Sequence, residues 1–198
     1  MFFLERGEGP QHALTPISMH RYSSLSFYLR ERFGQRVWKI PLDAGFSCPN
    51  RDGTLSTRGC VFCNSRGSGS GLGEKGLSLT QQWEHWHARF TRKHGAELFM
   101  AYLQSFSNTH CSVPQLRETL WEILQNQGAV ALAIGTRPDC LDADKLDLIA
   151  AQRIRETWLE LGLQSSKNAT LARINRGHDF ATFVKASNDI ACRGLKVC

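Results

Sequence analysis

No stretch of this chain approaches the roughly 18 consecutive apolar residues that a membrane helix needs. The segment MFFLERGEGPQHALTPISMH has neither an apolar h-region nor a small-residue cleavage site, so no secretory signal is expected. It reads as an irregular extension over residues 1–20. Basic residues exceed acidic ones, 24 to 18, but no run of five or more basic residues occurs. That pattern predicts a merely basic surface rather than a dedicated nucleic-acid groove, and leaves RNA contact weakly supported. No Gly-x-Gly-x-x-Gly stands at the first strand-to-helix turn, so the dinucleotide-binding fingerprint is missing. The loop SRGSGSGLGEKG (65–76) lacks the phosphate-loop pattern Gly-x-x-x-x-Gly-Lys-Ser/Thr. It reads as a mobile loop instead.

What the chain does have is cysteine, seven in 198 residues. Without a signal sequence these point to a reducing, cytoplasmic setting, where thiols and metal ligands outnumber disulfides. A hydrophobic content of 41% and a charged content of 21% are those of an ordinary globular chain.

Short apolar runs alternate with helical patterns. Strands are expected at RVWKIPLDA (36–44), AELFMAYLQSF (96–106), AVALAIGTRP (129–138), TWLELGLQS (157–165) and LKVC (195–198). Helices are expected at SSLSFYLRERFG (23–34), QQWEHWHARFTRKHG (81–95) after an N-cap within Ser78–Thr80, and VPQLRETLWEILQNQG (113–128) with Pro114 in its first turn. Two more are expected at 142–154 and within 177–194. Strands and helices in this order predict right-handed βαβ units and a parallel sheet. The fold expected is α/β, an incomplete TIM-type (β/α) barrel of four to five βα units with function at the carboxyl ends of its strands. A doubly wound open sheet is the alternative. The last strand is only begun, so residues 21–198 are expected to be the N-terminal part of a core domain that ends in its fifth strand.

Three cysteines fall in the turn-rich stretch DAGFSCPNRDGTLSTRGCVFCN (43–64). Eleven residues separate Cys48 from Cys60, and two separate Cys60 from Cys63. A Cys-x-x-Cys pair sets two thiolates on one metal centre. Structural zinc would need a fourth ligand, for which His85, His87, His94, His110 and Cys111 are available at no familiar spacing. A redox dithiol would sit at a helix start, which Phe62 and Asn64 do not provide. An iron–sulfur cluster on three cysteines would leave one iron open.

Period-2 alternation in TWLELGLQS puts Leu159, Leu161 and Leu163 on one face and Trp158, Glu160, Gly162 and Gln164 on the other. Glu160 and Gln164 then point into the barrel, where a carboxylate needs a ligand or a basic partner such as Lys39 or Arg137. Gln104, Ser105 and Asn108 lie where an apolar strand gives way to polar residues, at the functional rim. Arg137 and Asp139 either bind substrate or pair with each other. Cys111, Cys140, Cys192 and Cys198 read as small buried fillers. The NRGH turn (175–178) reads equally as an anion-binding turn or as helix capping.

The segments YLRERFGQRVWKIPLDAGFSCPNRDGT, GCVFCN, AYLQSFSNT, IGTRPDCL, ELGLQSS and INRGHDF, in this order from Tyr22 to Cys198, resemble the radical S-adenosylmethionine (SAM) superfamily. The long Cys48–Cys60 loop resembles its YhcC-like group, related to the oxygen-independent coproporphyrinogen dehydrogenases and the elongator catalytic subunit. The resemblance implies a [4Fe–4S] cluster held by Cys48, Cys60 and Cys63, with SAM chelating the fourth iron. It implies adenine against Phe62, and further SAM contacts from Gln104, Ser105, Glu160, Gln164 and Ser165. It implies reductive cleavage of SAM to a 5′-deoxyadenosyl radical that abstracts hydrogen from a substrate it does not identify. An electron donor such as flavodoxin or ferredoxin follows. Family members continue beyond the fifth strand, so this shorter chain is expected to be truncated at its C-terminus and impaired in activity. The rival is a zinc-stabilised basic RNA-binding module.

Overall fold

The computed structural model of the protein describes residue 22, residues 24–67 and residues 69–198. The irregular extension expected over residues 1–20 lies outside them. Helix α1 (Leu25–Phe33) begins where the Ser24 side chain accepts a hydrogen bond from the Phe27 N–H, and it stops at the left-handed Gly34. Five strands and five further helices follow: β1 (Val37–Leu42), α2 (Leu79–His94), β2 (Leu98–Leu103), α3 (Val113–Leu124), β3 (Ala129–Thr136), α4 (Ala143–Ala150), β4 (Glu156–Leu161), α5 (Asn168–Arg173), α6 (Phe180–Ala191) and β5 (Lys196–Val197).

Local chemistry explains most of the boundaries. Ser78 with Gln81, and Ser112 with Gln115, form reciprocal capping boxes at the starts of α2 and α3. Asp142 and Asp179 cap α4 and α6 through their carboxylates. The six-residue α5 has no side-chain cap, and it is too short to leave a period in the sequence. No helix among the described residues is long and apolar enough to cross a membrane.

The strands form one parallel sheet in the order β1-β2-β3-β4-β5. This sequential order has no switch point, which rules out the doubly wound alternative. β1 and β5 are both edges, so the barrel is not closed. Pro41, which has no N–H to give to a ladder, is tolerated because β1 pairs on one side only.

The crossover helices all lie on one face. Leu42, Phe99, Leu132, Ile134 and Leu159 pack there with Trp83 of α2, Leu116 and Leu120 of α3, Ile149 of α4 and Ile190 of α6. Each fully buried Leu or Ile contributes roughly 1.5–3 kcal/mol, so this layer dominates the stability. The opposite, concave face carries Met100, Ala131 and Ala133, covered by Leu29 of α1. The carboxylate of Glu156, at the start of β4, anchors that helix. It accepts from Tyr28 Oη at 2.9 Å and pairs with Arg32 Nε at 3.4 Å and Lys196 Nζ at 2.5 Å. With α1 held at the amino end of β4, the carboxyl ends of the strands stay uncovered.

Candidate active site at the carboxyl ends of the strands

The chain leaves β1 into the cysteine loop, and the loop is wound by its own backbone. The Cys48 carbonyl accepts from the N–H groups of Arg51 (2.7 Å) and Asp52 (3.1 Å), and the Asn50 carbonyl from Gly59 N–H (2.7 Å). Cys63 N–H closes a tight turn onto the Cys60 carbonyl at 3.0 Å. Arg51 ties the far side, donating from Nη2 to the carbonyls of Cys63 (2.9 Å) and Asn64 (2.6 Å). Asp52 accepts from Thr54 N–H and His110, which hold its carboxyl well below the usual carboxylate range.

A second segment docks onto this loop. Asn175 Nδ2 donates to the Gly59 carbonyl at 2.7 Å, and Val61 N–H to the Ile174 carbonyl at 3.1 Å. Asn50 Nδ2 donates to the carbonyl of Asn175 and to Sγ of Cys60, the latter at 3.3 Å. Arg176 Nη1 approaches the same sulfur at 3.5 Å. The NRGH turn is therefore a clamp on the cysteine loop. The helix-capping reading also holds, at the end of α5: Asn175 N–H donates to the Ala172 carbonyl at 3.0 Å and Arg176 N–H to the Leu171 carbonyl at 2.9 Å, while Asp179 caps α6.

Together these segments and the strand ends enclose a cavity of about 320 Å³, within the usual size of small-molecule sites. Cys48, Cys60, Cys63 and Phe62 line one side. Tyr102, Gln104, Glu160 and Gln164 line the strand side, with Arg137 and Arg176 beneath. Burial pushes the Cys48 thiol up, against the lowering effect of the Asn50 N–H and the Arg137 guanidinium. Lys39 Nζ sits 2.5 Å from Glu160 Oε1 and 3.7 Å from the Tyr102 ring centroid. The half-buried Tyr102 phenol is raised by desolvation and then by the Glu160 carboxylate.

Not every expected residue reaches the cavity. Ser105 is buried, but its hydroxyl faces Gly69 and has no hydrogen-bond partner among the described residues. Ser165 Oγ accepts from Lys167 N–H at 3.1 Å. Asn108 donates to the Gly135 carbonyl at 2.8 Å; Arg137 does line the cavity, held in a two-pronged pair with Asp139 at 2.9 and 2.7 Å. Gln164 arrives by another route than alternation. β4 ends at Leu161, and Gln164 is turned inward by a left-handed φ of 75°. Phe106, past the end of β2, is likewise held at φ 58°, against Gly67 of the glycine-rich loop. Non-glycine residues in this region carry strain that surrounding structure must hold. The glycine-rich loop backs onto the strand ends through Gly69 and Gly73 as well, facing Ser105 and Asp43.

Cys140 is buried as expected, but Cys192 and Cys198 are exposed, which corrects their reading as fillers. Cys198 follows the two-residue β5 and lines the cavity. Sequence reasoning missed Tyr102, although it shares the inward face with Gln104 two residues on. It also missed Asn50, which carries no local signal.

Among the described residues, no three His, Cys, Asp or Glu side chains are gathered closely enough to hold a single metal ion. Three of the candidate fourth zinc ligands have other partners. His94 stacks on Trp38 at 4.3 Å, His87 lies 4.8 Å from the Phe99 ring, and His110 bonds Asp52.

No protein-family model matches the chain. It is 42% identical over 179 residues to the uncharacterized protein YtqA of Bacillus subtilis, covering 90% of this chain and 56% of that protein. It is 41% identical over 172 residues to protein YhcC of Escherichia coli, covering 86% and 54%. The chain thus spans about half the length of the curated relatives it matches. In structure it resembles the archaeal Elp3 of Methanocaldococcus infernus, with a TM-score of 0.55 at 18% identity over 81% of this chain and 36% of that one. That likeness shows the α/β fold.

Proposed function

We propose that this chain is a radical SAM protein whose Cys48, Cys60 and Cys63 hold a [4Fe–4S] cluster. The observation that carries the reading is the cavity itself. Three cysteines of one loop, and four of the residues expected to contact SAM, line a single space at the carboxyl ends of parallel strands. The donor set fits the group. It is sulfur only, and hydrogen-bond donors already face the Cys60 sulfur. Each thiolate of such a cluster binds a different iron, so its ligands need not crowd around one point as those of a zinc ion do.

When bound, the cluster would pass one electron to SAM and so generate a 5′-deoxyadenosyl radical for hydrogen abstraction. This chain's side chains bind and orient the ligand. Phe62, 53% exposed at the rim, offers a flat apolar face to an adenine. Glu160, oriented by Lys39, accepts hydrogen bonds from ribose hydroxyls. Gln104 and Gln164 offer amide groups to the methionyl end. Tyr102 and Phe106 exclude water from the strand side. The electron comes from a carrier of the flavodoxin or ferredoxin class.

Anaerobic reconstitution with iron and sulfide tests it. The expected product is a brown protein with broad absorbance near ~400 nm that dithionite bleaches. Serine at Cys48, Cys60 or Cys63 should abolish the colour, while Cys192→Ser should leave it. Glu160→Gln should weaken SAM binding about tenfold, close to 1.4 kcal/mol. A colourless chain that holds one tetrahedral zinc refutes the reading.

A further inference from the structure

Arg176 is 7% exposed, and a guanidinium keeps its charge in a protein. Burying such a charge is costly unless an anion lies against it. Among the described residues no carboxylate does. Nε and Nη2 both donate to the Gly162 carbonyl, Nε at 3.0 Å, and Nη1 is left to the Cys60 sulfur at 3.5 Å. Asn50, 1% exposed, adds Nδ2 to that same sulfur at 3.3 Å. A neutral thiol is a weak acceptor with little use for two buried donors, one of them charged. The other cysteines differ. Cys63 Sγ stands 3.5 Å from the Asn64 carbonyl. The charges of Arg137 and Arg176 both reach Cys48 through space, but Arg137 is paired with Asp139, and neither guanidinium donates a hydrogen bond to that sulfur. A cationic hydrogen-bond donor thus stands against one sulfur of the three, that of Cys60.

We infer that Arg176, with Asn50, is a positioning residue that acts through Cys60 to set the reduction potential of the cluster, an inference that rests on the cluster reading above. Reduction adds one electron, supplied by an external low-potential flavin or iron–sulfur carrier, and makes the cluster–thiolate unit more negative by one charge. A fixed cation and an amide donor at a ligand sulfur stabilise that state over the oxidised one and raise the potential. Both donors are held ready. The Gly162 carbonyl at the end of β4 fixes the guanidinium, and the Asn175 carbonyl fixes the amide. The arrangement needs no movement when the electron arrives, and it joins the β4 end, the clamp turn and the cysteine loop at one atom.

A mediated potentiometric titration of the reconstituted 198-residue chain, followed near ~400 nm with iron content measured in parallel, tests this. Arg176→Gln is expected to disfavour the reduced state at least tenfold, a midpoint lower by about 59 mV for one electron. Arg176→Lys should recover part of the shift, and Asn50→Ser should show a smaller one. Reduced iron content with an unshifted midpoint would mean that Arg176 only holds the turn, and overturns the inference. If Arg176→Gln does not fold, an unshifted midpoint in Asn50→Ser overturns it instead. A wild-type chain that takes up no iron–sulfur cluster overturns the cluster reading, and this inference with it.

Discussion

Gly162→Ala would place a Cβ 2.5 Å from Arg176 Nη2 and 3.2 Å from Gln164 Nε2, so the guanidinium would have to move. Two effects then oppose each other. Gly162 is not among the residues at positive φ, so alanine fits its backbone and gains about 0.4–1 kcal/mol by restricting the unfolded chain. Against this, Arg176 loses its bonds to the Gly162 carbonyl, and hydrogen bonds from a charged group contribute roughly 1.5–3 kcal/mol each. Both donors share one acceptor, so the pair counts for less than two full bonds. The net expectation is a loss of about 1–3 kcal/mol, with the hydrogen bonds winning. In urea the unfolding midpoint should fall by about 0.5–1.5 M if the slope is near 2 kcal/mol/M. The decisive arm repeats the substitution in an Arg176→Ala background, where only the far end of the Gln164 side chain, 3.2 Å away, still meets the added Cβ. There Gly162→Ala should become neutral or stabilising. An equal penalty in both backgrounds would mean that the guanidinium is not what the added Cβ displaces, and would refute the reasoning.

Lys39→Met removes a pair whose side chains are 33% and 25% exposed. Solvent screening holds the expected loss of stability to about 0.5–1.5 kcal/mol, and a loss above about 3 kcal/mol in urea would contradict it. Cys140, pushed up to about 11 by burial, should resist iodoacetamide at pH 8.5 while exposed Cys192 reacts, as read by mass spectrometry. Its folded value lies above the ordinary value of 9.0, so the stability it contributes is present below pH 9 and lost as pH rises towards 11. Wild type should therefore lose more stability than Cys140→Ala between pH 8 and pH 10.5, and parallel curves would refute this. Gly128→Ala would force a Cβ to within 2.5 Å of the Glu97 carbonyl at a φ of 80°. A loss of about 2 kcal/mol or more is expected in thermal unfolding, and an unchanged midpoint would contradict it.

Much of the fold was legible in the sequence because capping and periodicity act between near neighbours. Ser78 and Pro114 marked helix starts, and the leucines at 159 and 161 marked the helix-covered face of β4. Leu163 and Gln164 were assigned to the strand although it ends at Leu161. Alternation cannot show where the ladder stops, and the left-handed φ of Gln164 depends on what surrounds it. α5 left no trace because six residues are less than two turns. In the site, the cysteine spacing and the polar residues on β4 were readable. The displacement of Ser105 behind the glycine-rich loop was not, because it depends on where residues 65–76 pack.

The alternation of strands with the longer helices, the placing of three cysteines just after β1, and the inward face of Glu160 were determined by the sequence alone. Each follows from residues close together in the chain. Only the tertiary structure decided the surroundings of Cys60. Arg176 lies 116 residues away from it, and Asn50 is locked by a carbonyl 125 residues further on. Contacts across that separation exist only because the stacked strands and the turn after α5 bring these residues together. A buried guanidinium against one sulfur is therefore a property of the fold, encoded in no local pattern.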